Sequence, residues 1–157
     1  DYHLDTGCTG TKHLLPVLFK EDYSDVAFRI LTQKTYPSWG YWVENGADSA
    51  WESWEKSTRS LNHYFLGTFD EILYSHIAGI RNIKNGYESF TVAPEIGCGL
   101  DFANAYINSP KGRIRCEWKK NNGKTAVEIE IPEGSTAEIR LPDIAETVTG
   151  GIYKYEV

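Results

Sequence analysis

The sequence predicts an α+β chain in two parts, helices first and a small antiparallel β-sandwich after them. Three observations predict it. Up to about residue 85 the apolar residues recur at helical spacing. From Gly86 onward apolar and polar residues alternate, and Gly, Pro and Asn turn signals punctuate the alternation. Between the helical runs lies a stretch that follows neither rule, residues 36–63, which holds four of the five tryptophans.

In the first part, residues 9–20 (TGTKHLLPVLFK) read as a helix with Thr9 or Thr11 near its N-cap. Pro16 must kink that helix or open its second half. Residues 22–33 read as a second helix, capped by Asp22 or Ser24, with Val26, Ala27, Ile30 and Leu31 as its apolar stripe. The link between them is short, so the two are expected to pack as an antiparallel hairpin. Pro37 ends the helical run by pushing Tyr36 out of the α region. Trp39, Tyr41 and Val43 then alternate with Gly40, Trp42 and Glu44, a short strand signal closed by Asn45-Gly46. A third helix is expected over 62–79, burying Phe65, Phe69, Ile72, Leu73, Ile77 and Ile80, with Gly79 as its stop.

The second part divides into strands over 87–93, 101–108, 113–119, 125–131, 136–141 and 152–157. Asn121-Asn122-Gly123 joins two of them as a hairpin, and Ser109-Pro110-Lys111-Gly112 is a turn. Val127, Ile129, Ile131, Ala137, Ile139 and Leu141 point inward; Glu128, Glu130, Glu138 and Arg140 point outward.

Composition excludes several function classes. The hydrophobic fraction of 41% suffices for a core, and the net charge of −6 argues against a nucleic-acid surface. No apolar run is long enough to span a bilayer. Cys8, Cys98 and Cys116 are odd in number, far apart and free of any Cys-x-x-Cys, so neither a zinc site nor a disulfide framework is indicated. The chain opens within what reads as a motif, Asp1-Tyr2-His3-Leu4-Asp5-Thr6-Gly7, and is expected to be a piece of something longer. A missing leader therefore says nothing of its destination. Periplasmic or extracellular placement is favoured over cytoplasmic.

Chemistry concentrates in the aromatic stretch. Trp39, Trp42, Trp51 and Trp54 stand among Glu44, Asp48, Glu52, Glu55 and His63. Flat rings take the C–H face of a sugar, and nearby carboxylates move protons. The structural alternative is that the indoles plug one end of a helical core. Glu52 stands between two indoles, an apolar setting that suits a working carboxylate. If the backbone there is extended, Trp54 shares its side and walls the pocket. Glu44, at a strand end, and Glu55, facing water, are its competitors. His3, His13 and His76 read as structural.

The ordered motifs resemble the C-terminal end of the bacterial α-L-rhamnosidases (glycoside hydrolase family 78). The resemblance runs from His3-Leu4-Asp5-Thr6-Gly7 with Gly10-Thr11 and Leu14-Leu15-Pro16-Val17-Leu18, through Tyr23, Asp25, Ala27, Leu31 and Gln33. Tyr36-Pro37-Ser38-Trp39-Gly40-Tyr41 is its most specific part. It continues with Gly46-Ala47, Trp51-Glu52-Ser53-Trp54, Ser60-Leu61-Asn62-His63-Tyr64, Ala78-Gly79-Ile80 and Ser109-Pro110-Lys111-Gly112 with Trp118.

The resemblance implies an (α/α)6 barrel followed by a C-terminal β-sandwich. A twelve-helix barrel needs upwards of roughly 200 residues, at ~12 per helix and ~5 per connection. Residues 1–84 would then be the last helices and active-site loop of an incomplete catalytic barrel, and 85–157 the C-terminal antiparallel sandwich. It also implies hydrolysis of terminal α-L-rhamnosyl linkages with inversion. Glu52 corresponds to the general base and His63 to the histidine that contacts the sugar, with Trp54 as a pocket wall. The acid lies earlier in the barrel, outside this chain. The expected partners are a rhamnose-containing glycoside or polysaccharide and the rest of the barrel, with no nucleic acid or membrane. No metal and no organic cofactor is expected. A non-catalytic carbohydrate-binding or scaffold relative, and a stand-alone interaction domain, are the alternative readings. The sequence departs from the family at Asp48-Ser49-Ala50, where two threonines and an aliphatic residue usually stand, and its loop from Glu52 to His63 is shorter than usual.

Overall fold

A computed structural model of the chain describes residues 2–157; Asp1, the first residue of the opening motif, lies outside them. The chain forms two compact units, residues 1–72 and 73–157. The α+β class is as expected, with several elements changed.

In the first unit, α1 spans Cys8–Lys20 and α2 spans Ser24–Leu31. The N-cap of α1 is Gly7 and that of α2 is Tyr23, and neither makes a side-chain cap bond, so the expected Thr and Asp caps do not form. Pro16 lies inside α1, which continues through it. Thr11, Leu15 and Phe19, four apart, make the buried stripe of α1. Ala27 and Ile30 do the same for α2.

The expected strand at Trp39–Val43 is instead a helix, α3, over Trp39–Glu44. Two local signals outweigh the alternation. Ser38 Oγ accepts the Tyr41 N–H at 3.0 Å, capping the first turn, and Asn45 Nδ2 donates to the Tyr41 carbonyl at 2.9 Å, closing the last. Trp39 and Trp42, three apart, then share one buried face, while Val43 is left exposed. The expected helix over 62–79 is also largely absent. Residues 62–69 are irregular, and only a single turn at Asp70–Ile72, α4, is α-helical. Asn62, Gly67 and Thr68 disfavour helix, and the Phe65 N–H is taken by the His63 ring at 3.3 Å.

The second unit begins with a π turn at Leu73–Ile77, which Gly79 ends at φ +78°. Six strands follow: β1 Ile80–Lys84, β2 Ser89–Val92, β3 Phe102–Ser109, β4 Gly112–Asn121, β5 Lys124–Leu141 and β6 Ile144–Glu156. Ile80, expected on a helix, opens β1. The two strands expected over 125–131 and 136–141 are one, β5, with a register shift at Ile131–Thr136. Pro132 and Gly134 lie within that irregular segment, and Pro132 has no N–H to give the ladder.

β5 is the spine of the sheet, whose order is β1-β2-β5-β4-β3, with β6 on β5 as well. Its first half pairs with β4 and its second half with β2, while β6 follows it throughout. The β2–β5 pairing is parallel, because β2 returns through a long connection; the other pairs are antiparallel. The β4–β5 hairpin turns at Asn122 and Gly123, both at positive φ, as the Asn-Gly signal predicts.

The six residues expected inward on β5 are all buried, as are Phe90, Val92, Ile114 and Trp118 on the neighbouring strands. Trp118 Nε1 donates to the Ile77 carbonyl at 2.9 Å, satisfying an acceptor at the end of the π turn. On the outward face Arg115 pairs with Glu117 and Glu128, Arg113 with Glu130 and Lys154 with Glu128. All three cysteines are free, with Cys98 and Cys116 buried. Burial pushes the Cys116 thiol up to about 12, so it acts as a small apolar core residue.

Candidate functional site

The site is built on an aromatic floor in the first unit. α3 directs Trp39 and Trp42 inward. Gly40 between them lets the helix approach its neighbour: a Cβ there would lie 2.3 Å from the Gln33 carbonyl oxygen. The indole N–H groups serve irregular backbone that has no ladder of its own. Trp39 Nε1 donates to the Leu66 carbonyl at 2.7 Å and Trp42 Nε1 to that of Trp54 at 3.3 Å. Trp54 Nε1 donates to the Thr6 carbonyl at 3.3 Å. Trp42 lies against Trp51 and Trp54, with ring centroids 5.8 and 5.1 Å away, and Trp39 meets Trp54 edge-on at 5.6 Å. Burying one such indole removes roughly 200 Å² from water, worth about 5 kcal/mol. The cluster therefore anchors the chain on either side of Glu52, through Trp51 and Trp54.

The loop itself is closed at its base. The Glu52 N–H donates to the Ser60 carbonyl at 3.0 Å, and the His63 N–H donates to the Ala50 carbonyl at 2.7 Å. Ser49 Oγ adds a bond to the Leu61 carbonyl at 2.5 Å. These links lay the limb carrying Glu52 beside the limb carrying His63, although eleven positions separate the two residues in sequence.

Of the four carboxylates in the stretch, Glu52 alone is partly buried; Glu44, Asp48 and Glu55 are exposed. Its side chain keeps 23% of its accessible surface, and Arg59 Nη2 lies 3.8 Å from Oε1. Arg59 is itself almost wholly solvated, so this pair adds little to stability. Glu44 ends α3, not a strand, and pairs with Lys34 at 3.1 Å. Glu55 accepts a bond from Ser57 at 3.3 Å.

His63 Nδ1 accepts the Phe65 N–H, so the neutral ring carries its proton on Nε2 and presents a donor there. Its ring stacks on Tyr64 at 5.2 Å and 15° and meets Phe65 edge-on at 4.0 Å. Trp54 is half-buried, with its N–H committed to Thr6. The expected shared side of Glu52 and Trp54 presumed an extended backbone, whereas residues 52–55 form consecutive bends.

His76 lies in the second unit. Arg81 Nη1 sits 3.2 Å from its Nδ1, and since a guanidinium only donates, Nδ1 accepts. Burial first, and the Arg81 charge second, push its imidazole down to about 4. Among the described residues no group of three or more His, Cys, Asp or Glu is placed to hold a metal ion.

Sequence reasoning did not single out Arg59, which stands by Glu52, and placed Phe65 on a helix face rather than against His63. Arg59 carries no periodic or motif signal; its place beside Glu52 comes from loop closure. The adjacency His63-Tyr64-Phe65 was a readable sign of ring packing.

Comparison with known proteins agrees over nearly the whole chain. Residues 1–77 match the bacterial alpha-L-rhamnosidase 6 hairpin glycosidase domain, and residues 79–155 match the bacterial alpha-L-rhamnosidase C-terminal domain. An alpha-L-rhamnosidase of Streptomyces avermitilis is 36% identical over 152 residues, and one of Formosa agariphila is 35% identical over 152. Each alignment takes in 90% of this chain but only 15% and 16% of those proteins. Among solved structures, the Streptomyces avermitilis alpha-L-rhamnosidase complexed with L-rhamnose superposes with a TM-score of 0.92 at 31% identity, over 100% of this chain and 18% of that one. The alpha-L-rhamnosidase from Dictyoglumus thermophilum gives 0.91 at 31% identity, over 99% and 21%. The chain thus spans about a fifth or less of the length of these relatives. With each half matched to its own domain and both halves matched in the solved structures, the chain belongs to the bacterial α-L-rhamnosidase family.

Proposed function

We propose that this chain works as part of an inverting glycoside hydrolase that releases terminal α-L-rhamnose, with Glu52 as the general base. In this reading residues 1–84 complete the catalytic barrel and residues 85–157 are its C-terminal sandwich domain. Inversion uses two carboxyl groups roughly 6.5–9.5 Å apart, one protonating the leaving oxygen and the other activating a water on the opposite face of the sugar. Glu52 takes the water's proton. The acid comes from the rest of the barrel. His63 donates from Nε2 to a sugar hydroxyl, and Trp54 closes the floor beneath. The reaction needs no metal and no organic cofactor.

The observation that carries the reading is the closed loop, in which the one partly buried carboxylate of the stretch and an oriented histidine are carried on adjacent limbs. The loop thus fixes the backbone that carries the carboxylate, and a base must be within reach of its proton before its strength matters. Family membership supports the substrate class.

The test is Glu52→Gln in the full-length protein. Turnover of an aryl α-L-rhamnoside should fall at least about a thousandfold, because the side chain loses its basicity while keeping its shape. Rhamnose affinity should change less than about threefold. Turnover near that of the unaltered protein would remove Glu52 from the role.

A further inference from the structure

The catalytic reading gives no part to Asp48-Ser49-Ala50, where the sequence departs from the family. Ser49 and Ala50 nonetheless supply bonds that join the two limbs of the loop. Ser49 Oγ donates to the Leu61 carbonyl at 2.5 Å, and the Ala50 carbonyl accepts the His63 N–H at 2.7 Å. The Glu52 N–H donates to the Ser60 carbonyl at 3.0 Å. Within the limb 60–63, Ser60 Oγ donates to the Asn62 carbonyl at 3.1 Å and accepts the Asn62 N–H at 3.3 Å. Every residue from Ser60 to His63 is therefore tied, and Leu61 is tied through Ser49.

The links at Glu52 and His63 run backbone to backbone, and almost any residue could make them. The Ser49 link differs because it needs a hydroxyl. Its 2.5 Å separation lies at the short end for an O–H···O bond. The limb 49–52 has an anchor of its own, since Trp51, between Ala50 and Glu52, is 2% exposed. Further chain packed on this unit can only deepen that burial. Ser49 thus ties a movable limb to a fixed one, at a point two residues before His63.

We propose that Ser49 is a positioning residue for the sugar contact: its hydroxyl registers the limb of His63 against the limb of Glu52. This rests on the reading in which His63 contacts the rhamnose. Without the hydroxyl, the Leu61 carbonyl loses its donor, and the limb can shift between its two backbone ties. The His63 ring shifts with it. Hydrogen bonds weaken steeply as their angle departs from linear, so a small displacement at His63 is felt at the sugar. Loss of one such bond is worth about three- to tenfold in affinity.

The experiment measures L-rhamnose affinity by titration calorimetry in the full-length protein. Ser49→Ala and Ser49→Val should each weaken binding about three- to tenfold. Ser49→Thr has the shape of the valine variant but keeps the hydroxyl, and should hold affinity within about twofold. The decisive arm adds Ser49→Ala to His63→Ala. There the extra loss should be less than about twofold, because the group that Ser49 places is gone. A merely structural serine would cost the same factor in both backgrounds. Three results overturn the role of Ser49: unchanged affinity in Ser49→Ala and Ser49→Val, a loss in Ser49→Thr equal to that in Ser49→Val, or an undiminished loss beside His63→Ala. Unchanged affinity in His63→Ala alone overturns the sugar contact and this proposal with it. Binding is read apart from turnover, so failure of Glu52 as the base leaves the test standing.

Discussion

Replacing Gly40 with alanine tests whether α3 is what holds the loop together. The added Cβ would stand 2.3 Å from the Gln33 carbonyl oxygen, 3.1 Å from its carbon and 3.2 Å from the Lys34 Cα, where ordinary contact is 3.4–4 Å. All three atoms are backbone, so no rotamer change relieves the clash. α3 must move away from residues 33 and 34. It carries Trp39 and Trp42, whose N–H groups bond the Leu66 and Trp54 carbonyls. Overpacking costs about 1–3 kcal/mol and each weakened hydrogen bond about 1 kcal/mol. The expected loss is therefore about 3–5 kcal/mol, a large share of a domain's stability. Urea unfolding followed by tryptophan fluorescence reads it directly, since four of the five tryptophans lie in this stretch. Gly97→Ala is the control, because its Cβ would meet only the Glu95 carboxylate at 3.7 Å, and it should stay within about 0.5 kcal/mol of the unaltered protein. A Gly40→Ala midpoint indistinguishable from that control would refute the argument.

Further expectations concern the second unit. His76 is held neutral in the fold by burial and by Arg81, with its pKa down at about 4 against an ordinary 6.5. Between those values the unfolded chain binds the extra proton, so stability falls as pH drops from about 6.5 to about 4. His76→Gln should flatten that slope in denaturant titrations run across the window, and an unaltered slope would count against it. Trp118→Phe leaves the Ile77 carbonyl without its donor and the core short of volume, which should cost about 2–4 kcal/mol by the same titration. Gly79→Ala and Gly123→Ala both force a side chain to positive φ, yet only Gly79 also faces backbone, 2.2 Å away at Ala93. Gly123→Ala should cost about 1–2 kcal/mol, whereas Gly79→Ala should cost several times more and depress soluble yield.

Much of the candidate site was visible as residues without being visible as a site. Glu52, His63 and Trp54 stood out by type and neighbourhood. Their arrangement depends on bonds that cross the loop, Glu52 to Ser60 and His63 to Ala50, which no local pattern encodes. The strand read at Trp39–Val43 shows the opposite failure. Its alternation was real, but the Ser38 cap and the three-residue spacing of the two tryptophans were equally local and pointed to a helix. Over 62–79 the apolar spacing is helical, but Asn62, Gly67 and Thr68 disfavour helix and keep residues 62–69 irregular.

By itself the sequence determined the α+β class, the first two helices, the Asn122-Gly123 hairpin and the inward face of β5. These follow from period, turn chemistry and alternation, which act within a few residues of chain. Tertiary structure alone decided that two predicted strands join as β5, that β2 lies parallel to it, and that Ile80 begins a strand. It also decided that the limb of Glu52 lies beside the limb of His63. Each of these is settled by partners distant in sequence: strand pairing across tens of residues, indole N–H groups seeking carbonyls in irregular chain, and backbone bonds closing a loop. Such partners are chosen by which buried polar groups must be satisfied together, and that is a property of the packed chain as a whole.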